Sequence, residues 1–75
     1  KNLIVSSLGG HRYEVCHVGA DGMTVDVYSI QGAKVMSLST DGDTLELDAA
    51  SLAGGIYVMA VTTDAGTVSR KLAVK

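Results

Sequence analysis

Short runs of β-forming residues, each closed by a turn that contains Gly or Asp, account for almost the whole chain. Apolar and polar residues alternate within these runs: Tyr13 and Val15 fall on one parity, Arg12 and Glu14 on the other. Successive side chains of a strand point to opposite faces, so this alternation predicts strands with one buried face. Turns that recur about every 8–12 residues are typical of an antiparallel sandwich. The sequence therefore predicts a single all-β domain of about seven short strands.

The boundaries of the runs predict where the strands begin and end. We expect strands over residues 2–5, 11–18, 23–30, 33–38, 44–47, 56–63 and 67–75. The first turn then covers residues 6–10. The Asp-Gly pair at 41–42 predicts a hairpin between the strands on either side of it. Residues 48–55 differ, because Asp48 stands where it would cap one helical turn and Leu52 would pack onto the core.

The last two predicted strands form the clearest hairpin. Both parities of residues 56–63 are apolar, which predicts a strand that is covered on both faces. Residues 64–66 fit a three-residue loop with Gly66 in the left-handed region. The final strand places apolar residues on one face, namely Val68, Leu72 and Val74. Arg70 falls on that same parity, so either a bulge shifts the phase or Arg70 lies at the rim with its charge in solvent.

Composition argues against several classes of function. The net charge of −2 offers no basic surface for a nucleic acid, and no apolar run is long enough to span a membrane. Cys16 is the only cysteine, so it has no disulfide partner within the chain, and we expect it to be buried as a small apolar side chain, with a reactive thiol as the alternative. The chain starts at Lys1 without a leader, and we expect residues 1–75 to be excised or cleaved from a longer parent protein.

No pattern of residues predicts catalysis or a bound metal. His11 and His17 would lie about 20 Å apart along an extended strand, too far apart to share an ion. Asp41 and Asp43 are expected to be solvated turn residues, with a weak calcium site as the alternative. Nothing in the sequence brings Ser, His and Asp together as a triad. We therefore expect no enzyme activity, no metal and no cofactor.

Three motifs follow one another between residue 25 and residue 75. They are "VDVYSIQGAKV" (25–35), "LELDAASLAGGIYVMAV" (45–61) and "GTVSRKLAVK" (66–75). Together they resemble the C-terminal sorting domains of the type IX secretion system, also called the Por secretion system. The matching positions are Val25, Val27, Tyr28 and Gly32, then Leu52, Gly55 and Tyr57, then Gly66, Lys71, Val74 and Lys75. Residues 1–22 match only as generic strands.

The resemblance implies both a fold and a function. The implied fold is an immunoglobulin-like antiparallel sandwich. The implied function is non-catalytic: the outer-membrane translocon recognises the domain after the parent reaches the periplasm, and a surface sortase cuts just before it. The parent then stays at the outer membrane and cell surface or is secreted. We expect recognition at Gly55, Tyr57, Gly66, Lys71, Val74 and Lys75. The alternatives are structural: Gly55 forms a turn, Tyr57 packs with one hydrogen bond, and Lys71 and Lys75 keep an edge strand soluble.

Alternatives remain for the function and for the oligomeric state. An extracellular sandwich for binding or adhesion is the other function, although three Tyr and no Trp offer few aromatic contacts for a sugar. A homodimer, or exchange of residues 1–5 between two copies, is the alternative to a monomer. Contacts with the preceding domain of the parent protein are also expected.

Overall fold

The structure, a computed structural model, describes residues 3–75 and confirms the all-β prediction. The strands are β1 (Leu3–Gly9), β2 (Arg12–His17), β3 (Met23–Ser29), β4 (Lys34–Thr40), β5 (Thr44–Asp48), β6 (Gly55–Thr63) and β7 (Gly66–Val74). A three-stranded sheet has the order β1-β2-β5, and a four-stranded sheet has the order β4-β3-β6-β7. All pairings are antiparallel, and the two sheets form an immunoglobulin-like sandwich. Within the described residues no helix is long and apolar enough to cross a membrane.

The core lies between the sheets and is built from the inward parity of each strand. The predicted inward residues of β2 and β3 are confirmed: Val15, Met23, Val25 and Val27 are buried, and Tyr13 is half-buried against them. The other buried side chains are Leu3, Leu47, Ala49, Met59, Val61, Leu72 and Val74. These side chains hold the sandwich together, because burial of apolar surface is the main stabilising term in a small domain.

The first hairpin differs from its prediction. The strand that was expected to end at residue 5 continues to Gly9, and Ser6 and Ser7 pair with Glu14 and Tyr13 instead of forming a turn. Its predicted first residue, Asn2, lies outside the described residues. The turn is Gly10-His11, with φ of +59° and +67°. Positive φ at both central residues gives the twist that a two-residue hairpin needs.

The Asp-Gly pair at 41–42 does not form a hairpin, so that prediction was wrong. β4 belongs to the four-stranded sheet and β5 to the three-stranded sheet, and the connection passes from one sheet to the other. The inward residues of β5 explain the choice: Leu47 is buried in its pairing with β2, where it lies opposite Tyr13. An Asp-Gly turn reverses the chain locally, but the burial of the next strand decides which partner it takes.

The connection between β5 and β6 contains a turn instead of the predicted helical turn. The Leu52 N–H donates to the Ala49 carbonyl at 3.0 Å, and the Ala50 N–H donates to Asp48 Oδ1 at 2.9 Å. Asp48 therefore caps the turn as predicted, although no helix forms among residues 3–75. Leu52 packs against the core as expected, and the neighbouring Ala49 is buried.

The C-terminal hairpin corrects two further details. Gly66 pairs with Thr63 as the first residue of β7, so the loop is Asp64-Ala65 alone, one residue shorter than predicted. Gly66 nevertheless has a positive φ of +121°. The register of β6 and β7 runs without a bulge, so Arg70 keeps its inward parity and lies half-buried at the rim. This resolves the two alternatives for Arg70 in favour of the rim position.

The prediction that β6 is covered on both faces was wrong. Met59 and Val61 are buried on the inward parity, but Ile56 and Val58 on the outward parity are 47% and 40% exposed. The four-stranded sheet is an outer layer of a two-layer sandwich, so nothing in residues 3–75 covers its outward face. The apolar outward residues of β6 are therefore not explained by folding.

Candidate recognition surface

The sandwich has two ends that carry different loops. We call proximal the end that holds Leu3, residues 18–22, residues 41–43 and the loop Asp64-Ala65. We call distal the end that holds residues 10–11, 30–33, 49–54 and Lys75. The pairings of Leu3 with His17 and of Gly55 with Val74 place these segments at opposite ends.

The structure brings five of the six predicted recognition residues to the distal end. Gly55 pairs with Val74, Tyr57 pairs with Leu72, and Lys71 and Lys75 flank these pairs along β7. Gly66 lies at the proximal end, at the opposite end of the nine-residue strand β7. Eight steps along a strand correspond to about 27 Å, so Gly66 cannot share one compact epitope with the other five.

Tyr57 is positioned by the connection that precedes it. Its ring lies on the inward side against the core, and its hydroxyl donates to the Ala53 carbonyl at 2.7 Å. A tyrosine near the start of a strand, bonded to backbone a few residues upstream, is the tyrosine corner of immunoglobulin-like sandwiches. The contact closes the crossover from β5 to β6, and the ring is half-buried.

Val74 is part of the core, and its side chain is buried and not available to a partner. Gly54 lies against the end of β7: a Cβ placed on it would be 3.4 Å from the carbonyl carbon of Lys75. Gly55 is exposed and has a positive φ of +151°, a conformation that glycine adopts most readily. These residues shape the distal end, while Lys71 and Lys75 are exposed on it.

Lys71 belongs to a row of outward side chains that crosses the four-stranded sheet. Lys34 on β4 is opposite Tyr28 on β3, Tyr28 is opposite Val58 on β6, and Val58 is opposite Lys71 on β7. A tyrosine and a valine thus lie between two lysines. Ile56 lies two residues from Val58 on the same face of β6.

A bulge in β4 brings Lys34 into this row. Tyr28 pairs with Lys34 and Val27 pairs with Met36, so Val35 is left over as the extra residue. The Lys34 ammonium nitrogen then lies 6.0 Å from the centroid of the Tyr28 ring and 3.7 Å from Asp26 Oδ1. Alternation alone did not identify the row, because an unbroken register would not have placed Lys34 opposite Tyr28.

A second contact at the distal end joins the two sheets. The Tyr13 hydroxyl donates to the Ala73 carbonyl at 3.0 Å, which links β2 to the edge strand β7. An open pocket of about 360 Å³ lies beside this contact. Its lining residues are Ser7, Gly9, Gly10, His11, Tyr13, Ala73 and Lys75. The Tyr13 hydroxyl in its lining is already engaged with backbone.

The residues considered as candidate metal ligands do not come together in the structure. His11 lies in the distal turn and His17 at the proximal end of β2. Asp43 Oδ2 accepts from the Gly19 N–H at 3.2 Å and Oδ1 accepts from the Thr44 hydroxyl at 3.1 Å, so this carboxylate organises two loops. Among residues 3–75 no group of three or more His, Cys, Asp or Glu side chains is placed to hold a metal ion.

Cys16 is half-buried and in no disulfide, not buried as predicted. It lies on the outward face of the three-stranded sheet, opposite Ile4 and Thr44, because Val15 beside it takes the inward position. The alternation of β2 already predicts the outward position of Cys16, because Val15 beside it is on the inward parity.

Comparison with protein families gives a match that covers most of the chain. Residues 13–75 match the family model described as "Secretion system C-terminal sorting domain". The match therefore begins in β2 and includes every strand from β3 onward, among them the four strands that carry the Lys34–Lys71 row. No curated protein sequence matches the chain.

Proposed function

The chain belongs to the family of C-terminal sorting domains of the type IX secretion system, and on this premise we propose that its folded shape is the address read by the secretion machinery. Membership of this family indicates that the chain is a sorting signal for secretion. We propose the following steps of export. The translocon of the outer membrane binds the folded domain in the periplasm, and a surface sortase then cuts ahead of it. The parent protein reaches the cell surface or the medium.

The observation that carries this proposal is the family match over residues 13–75. Two features of the fold support a folded signal over a linear one. β7 pairs with β6 along its full length, and its inward residues Leu72 and Val74 are buried in the core. A receptor therefore meets the C-terminal segment as a strand held in a sandwich, with only the outward side chains free.

The buried position of Leu72 and Val74 affects how the proposal can be tested. Deletion of residues 71–75 removes both from the core, so loss of export after that deletion would not separate recognition from folding. A sharper test unfolds the domain while leaving its C-terminal segment unchanged. Val15 is suitable, because it is buried in β2 and lies outside the last hairpin.

The test joins residues 1–75 behind a reporter enzyme that carries its own signal for crossing the inner membrane, in a bacterium that uses type IX secretion. Val15→Asp places a carboxylate in the core and is expected to unfold the domain. Glu14→Asp is the matched control, since it places an aspartate on the exposed parity of the same strand. Reporter activity is measured in the medium, at the cell surface and in the periplasm.

We expect the wild-type and Glu14→Asp fusions to be exported and the Val15→Asp fusion to stay active in the periplasm. Export of the Val15→Asp fusion at the wild-type rate would mean that a linear segment is read. Periplasmic retention of the wild-type fusion would refute the sorting function of this chain. A strain that lacks the translocon should retain all three fusions.

A further inference from the structure

The outward face of the four-stranded sheet changes in character from one end to the other. Its proximal half carries small hydroxyl side chains, namely Thr24, Ser37, Ser39, Thr62, Thr67 and Ser69. Its distal half carries the Lys34–Tyr28–Val58–Lys71 row with Ile56 beside it. Ile30, just beyond β3 at the same end, is 72% exposed. We call these six distal residues the Tyr28–Val58 patch.

The apolar members of the patch are adjacent. Val58 is directly opposite Tyr28, and Ile56 is two residues from Val58 on the same face of β6. Cross-strand neighbours have Cβ atoms about 5 Å apart, so these side chains form one surface. Isolated exposed apolar residues are normal on a protein, but an adjacent group marks a binding site more often than chance. Folding does not require these side chains, since the core uses the other parity of β6.

The charges around the patch specify the chemistry of its partner. Asp26, the carboxylate nearest to Lys34, is 18% exposed and accepts from the Ser37 hydroxyl at 2.6 Å. Within residues 3–75, Lys71 has no carboxylate within salt-bridge distance. Lys34 and Lys71 lie on the outer two strands of four, which places their Cα atoms about 14 Å apart at the usual strand spacing.

Apart from Asp26, which is paired with Lys34, the acidic residues lie elsewhere, although the chain as a whole is negative. Four aspartates are in the proximal turns, namely Asp21, Asp41, Asp43 and Asp64. Three more acidic residues are on the outward face of the three-stranded sheet, namely Glu14, Glu46 and Asp48. Arg12 is bonded to Glu46 at 3.3 Å on that face. The patch is therefore the surface that an acidic partner can approach with the least repulsion, because Asp26 is only 18% exposed and is paired with Lys34.

We propose that the domain docks through the Tyr28–Val58 patch on a protein surface of the secretion machinery that has an apolar centre flanked by carboxylates. The proposal rests on the sorting function proposed above and names the face that is read. The apolar side chains supply buried area, and the two lysines set the register across the sheet. A membrane is a poorer match, because two lysines on a chain of net charge −2 give little attraction to anionic lipid.

Apolar substitutions test the centre of the patch. Ile56→Thr combined with Val58→Thr removes apolar surface and keeps the β-branched shape that favours a strand. Ile4→Thr combined with Val18→Thr is the matched control, since these residues are 54% and 53% exposed and lie away from the patch. The readout is the initial rate of export of the reporter fusion at low expression. The midpoint of thermal unfolding of each 75-residue chain checks that the fold is intact.

We expect the patch variant to be exported about tenfold more slowly and the control within about twofold of wild type, since a tenfold effect needs only about 1.4 kcal/mol of lost binding. Lys34→Gln with Lys71→Gln is expected to slow export about fivefold, and the two Lys→Arg changes to leave it nearly unchanged, because arginine keeps the charge. Equal export of the patch variant and wild type would overturn the proposal, as would an equal loss in the control.

Two further outcomes would assign the patch to a different partner. One is binding of the purified chain to phosphatidylglycerol vesicles that is lost with Lys71→Gln. The other is a wild-type dimer in solution that becomes a monomer with Ile56→Thr and Val58→Thr. Either result overturns a docking site on the machinery. If the wild-type fusion is exported and the patch variants are exported equally well, this inference fails and the sorting function stands.

Discussion

Loss of the Tyr57 hydroxyl should destabilise the domain by a small and calculable amount. In Tyr57→Phe the ring still packs on the core, and only the bond of 2.7 Å to the Ala53 carbonyl disappears. A hydrogen bond contributes about 1 kcal/mol net, and more when its loss strands a buried group. Ala53 is exposed, so water can replace the hydroxyl. We therefore expect a loss of about 0.5–1 kcal/mol in the free energy of unfolding.

The same loss can be read as a change in melting temperature. An unfolding entropy of about 2.1 cal/mol/K per residue gives about 160 cal/mol/K for this chain, so the midpoint should fall by about 3–6 °C. Tyr28→Phe is the matched control, because within residues 3–75 the Tyr28 hydroxyl has no protein hydrogen-bond partner. A Tyr57→Phe midpoint equal to that of Tyr28→Phe would refute the assignment of a stabilising corner. Export of Tyr57→Phe at the wild-type rate would identify Tyr57 as structural instead of a contact for the receptor.

Three other substitutions test the fold at separate points. Tyr13→Phe removes the bond that joins the two sheets and should lower the free energy of unfolding, measured in urea, by about 1 kcal/mol. Leu47→Ala leaves a cavity at a fully buried site and should cost about 2–5 kcal/mol, so a loss below about 1 kcal/mol would contradict the core assignment. Gly22→Ala forces a side chain into a φ of +115° with its Cβ 3.2 Å from the Thr40 carbonyl oxygen. It should cost at least about 1 kcal/mol, whereas Gly42→Ala, whose Cβ would meet only Thr40 Oγ1 at 3.9 Å, should change stability by less than about 0.5 kcal/mol.

Alternation was sufficient to predict most of the core. In β2 and β3 every second residue is apolar, and the inward parity that it predicts is the buried one. A strand with one buried face cannot shift its pairing by one residue without exposing its apolar side chains. The alternation of apolar residues therefore predicts which side chains are buried. The same reasoning placed Leu72 and Val74 correctly in β7.

Local sequence did not determine which strands pair. The Ser6-Ser7 pair is typical of a turn, yet both residues extend β1, because the pairing with β2 continues to a turn at Gly10-His11. The Asp-Gly pair at 41–42 is typical of a hairpin, yet the chain changes sheets there. Pairing depends on which strand buries the next apolar face, and that partner is distant in sequence.

The candidate surface was predicted in part. Lys71 was identified from the resemblance, and the structure places it at the edge of an apolar group. Tyr28 matched the first motif, but its role beside Val58 depends on the register of β3 with β6. The apolar outward parity of β6 was visible in the sequence and was interpreted as burial. A two-layer sandwich covers only one face of each sheet, so the apolar residues on the outward face of β6 stay exposed. A binding partner that covers them would explain why they are apolar.

The separation of charge along the domain has a consequence for how a parent protein is presented. Leu3 pairs with His17, and the His17 N–H donates to the Asp43 carbonyl at 2.8 Å, so Leu3, the first described residue, lies at the proximal end. The Tyr28–Val58 patch lies in the distal half of the four-stranded sheet, with Lys71 five residues along β7 from Gly66 at the proximal end. An acidic partner repels the proximal aspartates and attracts Lys71, and this orients the approach before contact. If a parent protein precedes the domain, we expect its junction to lie on the proximal side of the docking surface, so that docking leaves the junction accessible.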